Sequence, residues 1–142
     1  MNRRLLGVIA AFALWAAQAA AHAEDVVPVV SAKSAITSLN AAQVADIFLG
    51  KTNRFPDGSP AVPIDLSEDA PERDRFYAQY TGKSPAQVKA YWSKIIFTGR
   101  GQPPRQASTG REMRKLVAEN PNAIGYIDPS LVDSSVRVLA SR

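Results

Sequence analysis

Ala61-Val62-Pro63-Ile64 runs into Asp65-Leu66-Ser67-Glu68-Asp69-Ala70 and then into Pro71-Glu72-Arg73, and within this stretch the hydrophobic period changes. The apolar run follows the turn signal Pro56-Asp57-Gly58 and predicts a strand, with Pro63 placing it at an edge or a bulge. From Pro71 the pattern is helical. Proline occupies the first turn, Phe76, Tyr77 and Tyr80 gather on one side, and Gly82 stops the run. A strand that feeds the 65–72 loop and then a helix is one unit of an α/β layer.

The same alternation extends in both directions. Upstream, Val26-Val27-Pro28-Val29-Val30 predicts a buried strand, with Pro28 near an edge or a bend, and Ser31-Ala32-Lys33-Ser34 predicts a polar turn. Ser38 is placed to cap a helix with Ala41, Val44, Ile47 and Phe48 inward and Gly50 at its end. Downstream, Ser84-Pro85 opens a helix whose Val88, Tyr91, Trp92, Ile95 and Ile96 recur at helical spacing before Gly99. Residues 100–105, with two consecutive prolines, predict a loop. Thr109 with Glu112 resembles a capping box for a helix with Met113, Leu116 and Val117 inward, stopped by Asn120-Pro121. Ala123–Ile127 and Val136–Leu139 read as two further strands. Four strands interleaved with four helices predict an α/β domain, its sheet mixed or mostly parallel and flanked by helices.

The first 23 residues have a different character. Arg3 and Arg4 precede an apolar run from Leu5 to Trp15, and Ala21-His22-Ala23 ends in small residues, so a secretory signal peptide cleaved after Ala23 is expected. The expected product is periplasmic and has no membrane span. It has 119 residues with 15 basic and 13 acidic side chains, so its charge is +2 rather than the +4 of the whole chain. That length suits one domain, 24–142. Cysteine is absent and the single histidine, His22, lies in the leader. Thiolate nucleophiles, Cys- or His-ligated metals and imidazole bases are thereby excluded, so the expectation is a binding protein without catalytic residues, metal or cofactor.

Open α/β sheets bind ligands in the loops beyond strand ends, which directs attention to 31–38 and 65–72. In the second loop Asp65, Glu68, Asp69 and Glu72 crowd a helix start. They are read as complementing the helix dipole and facing water, with Arg73 and Arg75 close enough to pair with them. A calcium site on Asp65, Glu68 and Asp69 lacks recognised ligand spacing, and a paired-carboxylate hydrolase lacks any motif. Lys94, Arg100, Arg105, Arg111, Arg114 and Lys115 with Trp92 and Phe97 superficially suggest a nucleic-acid surface. The near-balanced charge and expected export argue against it. Helical spacing places Trp92 and Phe97 in the core, leaving the cations as a solvated face able to meet a partner or an anionic membrane.

Gln43-Val44-Ala45-Asp46-Ile47-Phe48-Leu49-Gly50-Lys51 and Ala123-Ile124-Gly125-Tyr126-Ile127 resemble segments of phosphate-type substrate-binding proteins of bacterial ABC transporters, in the type 2 periplasmic-binding superfamily. The stretch from Lys83 through Pro104 resembles a short, single-lobe subgroup. The resemblance implies a single-lobe periplasmic-binding-protein-like domain corresponding to the second lobe, with Val29–Ser34 similar to the strand that enters that lobe and Ala123–Ile127 to the one that leaves it. It also implies that phosphate or another oxyanion is bound and that an ABC transporter or other envelope protein is a partner. Along the family's second-lobe loop, Arg-Ser-Asp-Gly-Ser-Gly-Thr, the serine falls on Ser67, the acid on Glu68 and the arginine on Leu66. Only Ser67, and in charge type Glu68, carries over from that loop; from loop placement, Ser31 and Ser34 are expected to offer hydroxyls from a facing loop and Lys33 or Arg73 to supply charge. The alternative is an envelope protein-interaction or sensor-associated adaptor that has exchanged solute binding for protein contact.

Overall fold

A computed structural model describes residues 25–139; the expected leader and its cleavage point lie outside the described residues. The elements follow in the order β1 (Val27–Ser31), α1 (Ala41–Phe48), β2 (Val62–Leu66), α2 (Pro71–Thr81), α3 (Pro85–Phe97), β3 (Arg105–Ala107), α4 (Gly110–Glu119), β4 (Ala123–Ile127) and β5 (Val136–Val138). They form a five-stranded sheet in the order β3-β2-β4-β1-β5. It is mixed: β2 runs parallel to β3 and β4, whereas β1 runs antiparallel to β4 and β5.

β4 is buried at every residue and separates the two helical layers. Its alternating side chains face opposite sides of the sheet. A Cβ at Gly125 would lie 2.5 Å from the Met113 sulfur and 2.8 Å from a Val117 methyl, so glycine here lets α4 pack directly on the strand. Tyr126 faces the other way. Its ring stacks on Phe76 of α2, with centroids 3.9 Å apart, and meets Phe48 of α1 edge-on. Each such ring removes a large apolar area from water.

Several elements depart from the sequence reading. The cap of α1 is Asn40, which forms a reciprocal capping box with Gln43, and Ser38 does not take that place. Leu39 is buried, so the chain enters the core after Ser38 and the helix starts beyond it. β3 makes a fifth strand where a loop is expected, because Arg105–Ala107 pairs in parallel with Ile64–Leu66 and needs no apolar pattern of its own. β2 also extends through Leu66, which takes Asp65 out of the loop and into the sheet. Both strand prolines lie in interior strands. Pro63 precedes the residues that pair with β3, and the carbonyl of Pro28 still accepts from the Leu139 amide.

The largest departure is in α3. Its Ser84–Gln87 capping box forms, and Val88 and Trp92 are buried. Phe97, however, is 93% exposed and Ile96 54% exposed, so neither belongs to the core. The last turn of α3 extends beyond what the sheet and α2 cover.

Candidate anion-binding site at the ends of β2 and β3

Asp65 is 1% exposed and does not face water with the other loop acids. Its place in β2 aims it at the same side of the sheet as Tyr126, under α2. The Tyr77 hydroxyl donates to its Oδ2 at 2.6 Å, the Tyr126 hydroxyl donates to Oδ1, and the Leu66 amide donates to Oδ1 at 2.9 Å. Arg73 Nε lies 3.3 Å from Oδ2 as the ionic partner. This is how a carboxylate survives in a core: one counter-charge and donors for both oxygens.

Burial, followed by the Asp65 charge, raises the pKa of the Tyr77 and Tyr126 phenols well above the ordinary tyrosine value. Both therefore remain protonated donors. For Arg73, burial opposes the charge, but the field of Asp65 outweighs it and the guanidinium ends above its usual range. Because its oxygens are occupied, Asp65 is poorly placed to act as a base, which removes it from both the carboxylate-pair hydrolase and the calcium site weighed above. No group of three or more His, Asp or Glu positioned for a metal occurs among the described residues.

Arg73 sits on the boundary of this cluster. It is only 7% exposed, and among the described residues its side chain donates no well-directed hydrogen bond; Nε approaches Asp65 without pointing at it. Its outer side fronts a hollow of about 170 Å³ between α2, α3 and β3, where Lys89, Trp92, Ser93 and Ile96 of α3 complete the wall with Glu68, Pro103 and Gln106. Trp92 is 6% exposed and its indole N–H also lacks a partner among the described residues. A larger hollow of about 390 Å³ lies along α3, between Tyr91, Lys94, Ile95, Thr98 and Arg100.

The structure divides the residues expected to share one site. β1 and β2 run in opposite directions, since one is antiparallel and the other parallel to β4. Loops 31–38 and 65–72 consequently leave opposite ends of the sheet, and Ser31, Lys33 and Ser34 do not face Ser67 and Arg73. Ser31 is buried and donates to the Ala118 carbonyl at 3.0 Å, while accepting from the Lys33 amide. The Ser34 hydroxyl accepts from the Ile36 amide. These two serines hold their own turn and the end of α4, and Lys33 is exposed above them. Ser67 is half-buried where β2 ends, its amide donating to the Ala107 carbonyl. Lys89 and Gln106 carried no signal in the sequence as partners of Arg73, because they meet it only through the parallel pairing of β3 and the packing of α3.

Of the paired charges foreseen near the loop, both form: Arg73 with Asp65, and Arg75 with Glu72 at 3.9 Å. Thr109 receives the Glu112 amide as foreseen, but the Glu112 carboxylate accepts from Ser108 rather than closing the box on Thr109.

No protein-family model matches the sequence, and no curated protein matches it. Among solved structures, the fold is similar to a protein assigned as a phosphate ABC transporter substrate-binding protein from Clostridium perfringens, solved with bound phosphate, at a TM-score of 0.65 and 23% identity. That likeness covers 82% of this chain and 44% of the other. An ABC-type phosphate transport receptor from Vibrio cholerae gives 0.56 and 17% identity, over 82% and 46% of the two chains. PstS from Borrelia burgdorferi gives 0.58 and 14% identity, over 83% and 47%. The chain thus spans less than half the length of these proteins. What it shares with them is the fold, as a mixed sheet flanked by helices.

Proposed function

We propose that this chain is an exported, non-enzymatic solute-binding lobe that takes phosphate or a similar oxyanion at the end of the sheet where β2 and β3 finish. The observation that carries this reading is Arg73. A guanidinium this buried, held in place by Asp65 and turned toward a hollow shared with Lys89 and Gln106, is a prepared anion contact. Ser67 offers a hydroxyl at the same strand end, and Glu68 on the wall is suited to accept a hydrogen bond from the O–H of a hydrogen phosphate. Ser31, Lys33 and Ser34, at the other end of the sheet, stand outside this reading.

The fold likeness to phosphate receptors supports it independently of the pocket. An ABC transporter is the partner such a lobe would serve, in the periplasm after removal of the leader. Titration calorimetry with phosphate and sulfate is the test. Binding should weaken about tenfold in Lys89→Gln, the loss of one charge-assisted hydrogen bond, while the melting temperature stays unchanged. Absence of heat and of thermal stabilisation at millimolar phosphate would overturn the proposal.

A further inference from the structure

The charge of this chain is segregated along its length. From Arg75 to Arg111 there are seven lysines and arginines and no aspartate or glutamate. This segment comprises most of α2, all of α3 and the connection through β3 to α4. Lys89, Lys94, Arg100 and Arg105 make no ion pair with any described residue.

The outward face of α3 has a definite pattern. Ala86, Ala90, Ser93 and Phe97 follow one another up its centre at helical spacing, all exposed, with Lys89 on one flank and Lys94 on the other. The stripe ends in the phenyl ring of Phe97, 93% exposed, beside Ile96 at 54%. Gly99, at φ +69°, then turns the chain back so that Arg100 returns to α3 and, with Lys94, lines the 390 Å³ hollow. An apolar tip, an uncharged centre and flanking lysines long enough to reach back to phosphates are the layout of a helix that lies on a bilayer surface.

We propose that the exposed face of α3 and the 98–104 loop dock this protein on anionic phospholipid, with Phe97 and Ile96 at the acyl boundary and Lys94 and Arg100 on the headgroup phosphates. Charge complementarity supports the choice of occupant, and so does shape. The feature is a protruding ring with cations that pair with no described residue, and a fluid headgroup layer accommodates it without a matching pocket. Among the described residues no helix is long and apolar enough to cross a membrane, so this contact is peripheral. The two surfaces adjoin, because Lys89, Ser93, Ile96 and Pro103 also line the Arg73 hollow, but Phe97, Lys94 and Arg100 lie outside it, so the variants that test docking leave the oxyanion contacts in place.

The test is co-sedimentation of the exported chain with vesicles of phosphatidylcholine alone and of phosphatidylcholine mixed with phosphatidylglycerol, at low and high salt. Binding is expected only to the anionic vesicles and only at low salt. Lys94→Gln and Arg100→Gln should each lower it about fivefold, the effect of removing one surface cation. Phe97→Ser should lower it about tenfold, by loss of inserted apolar area. All three side chains are exposed, and an unchanged melting temperature confirms that each variant is folded. Equal binding to both vesicle types, no binding at low salt, or indifference to Phe97 would overturn the proposal. Displacement of the vesicles by millimolar inorganic phosphate would overturn it too, by showing a free-phosphate site. So would a salt-sensitive, Phe97-dependent complex with an acidic protein formed while vesicles are ignored.

Discussion

Two arginines about a helix apart show how differently this fold uses positive charge. Arg73 in α2 is 7% exposed and pairs with Asp65 at 3.3 Å, inside a cluster where both carboxylate oxygens have donors. Arg100, after α3, is exposed and pairs with nothing among the described residues. The first charge is part of the folded state, because removing it leaves an uncompensated anion in a low-dielectric core. The second is already solvated, so the fold gains little from it and it is available to outside partners.

The strongest challenge to this contrast is Arg73→Met, which strands Asp65. It should cost about 3–5 kcal/mol in urea unfolding, whereas adding Asp65→Leu to the same protein should restore much of the loss. A cost below about 1 kcal/mol would mean that Asp65 is solvated and that the comparison fails. Next in size is Tyr126→Phe, which removes a donor from Asp65 and the hydroxyl that accepts from the Leu66 amide at 3.1 Å. About 1–3 kcal/mol should be lost, with the aromatic stack on Phe76 retained. Tyr77→Phe should cost a similar amount.

The same cluster predicts a pH response. The folded phenols of Tyr77 and Tyr126 titrate above the unfolded tyrosine value, so the folded state holds more protons in alkaline solution. Their contribution to stability is complete below the unfolded pKa of about 10 and declines as pH rises beyond it. Phenolate absorbance from these two rings should therefore appear together with loss of near-ultraviolet dichroism, and not before. Titration of all four tyrosines near the ordinary phenol value in a still-folded protein would count against a closed cluster. The smallest effect is expected at the other region: Lys94→Gln and Arg100→Gln should change stability by no more than about 0.5 kcal/mol.

How much was legible beforehand follows from the range of each interaction. The helices from Pro71 and Ser84, the Gly82 stop and the strand Ala123–Ile127 could be read because capping, proline placement and periodicity act over a few residues. Phe97 misled for the same reason. Its spacing continues an apolar pattern, but periodicity cannot say where the surface against which a helix packs comes to an end. β3 was invisible because its three residues become a strand only through pairing with β2. Asp65 looked like one acid in an acidic loop until the sheet extended by two residues and carried it inside.

The sequence by itself determined an α/β chain lacking thiol chemistry, since these depend on composition and local pattern. Tertiary structure alone decided which strand ends coincide. Strand direction is set by pairing between distant segments, and the antiparallel course of β1 against the parallel course of β2 sends Ser31, Lys33 and Ser34 to one end of the sheet and leaves Ser67 and Arg73 at the other. It also brought Lys89 and Gln106 to Arg73 and left Phe97 outside, because burial is settled by which surfaces meet and not by the side chain's own hydrophobicity.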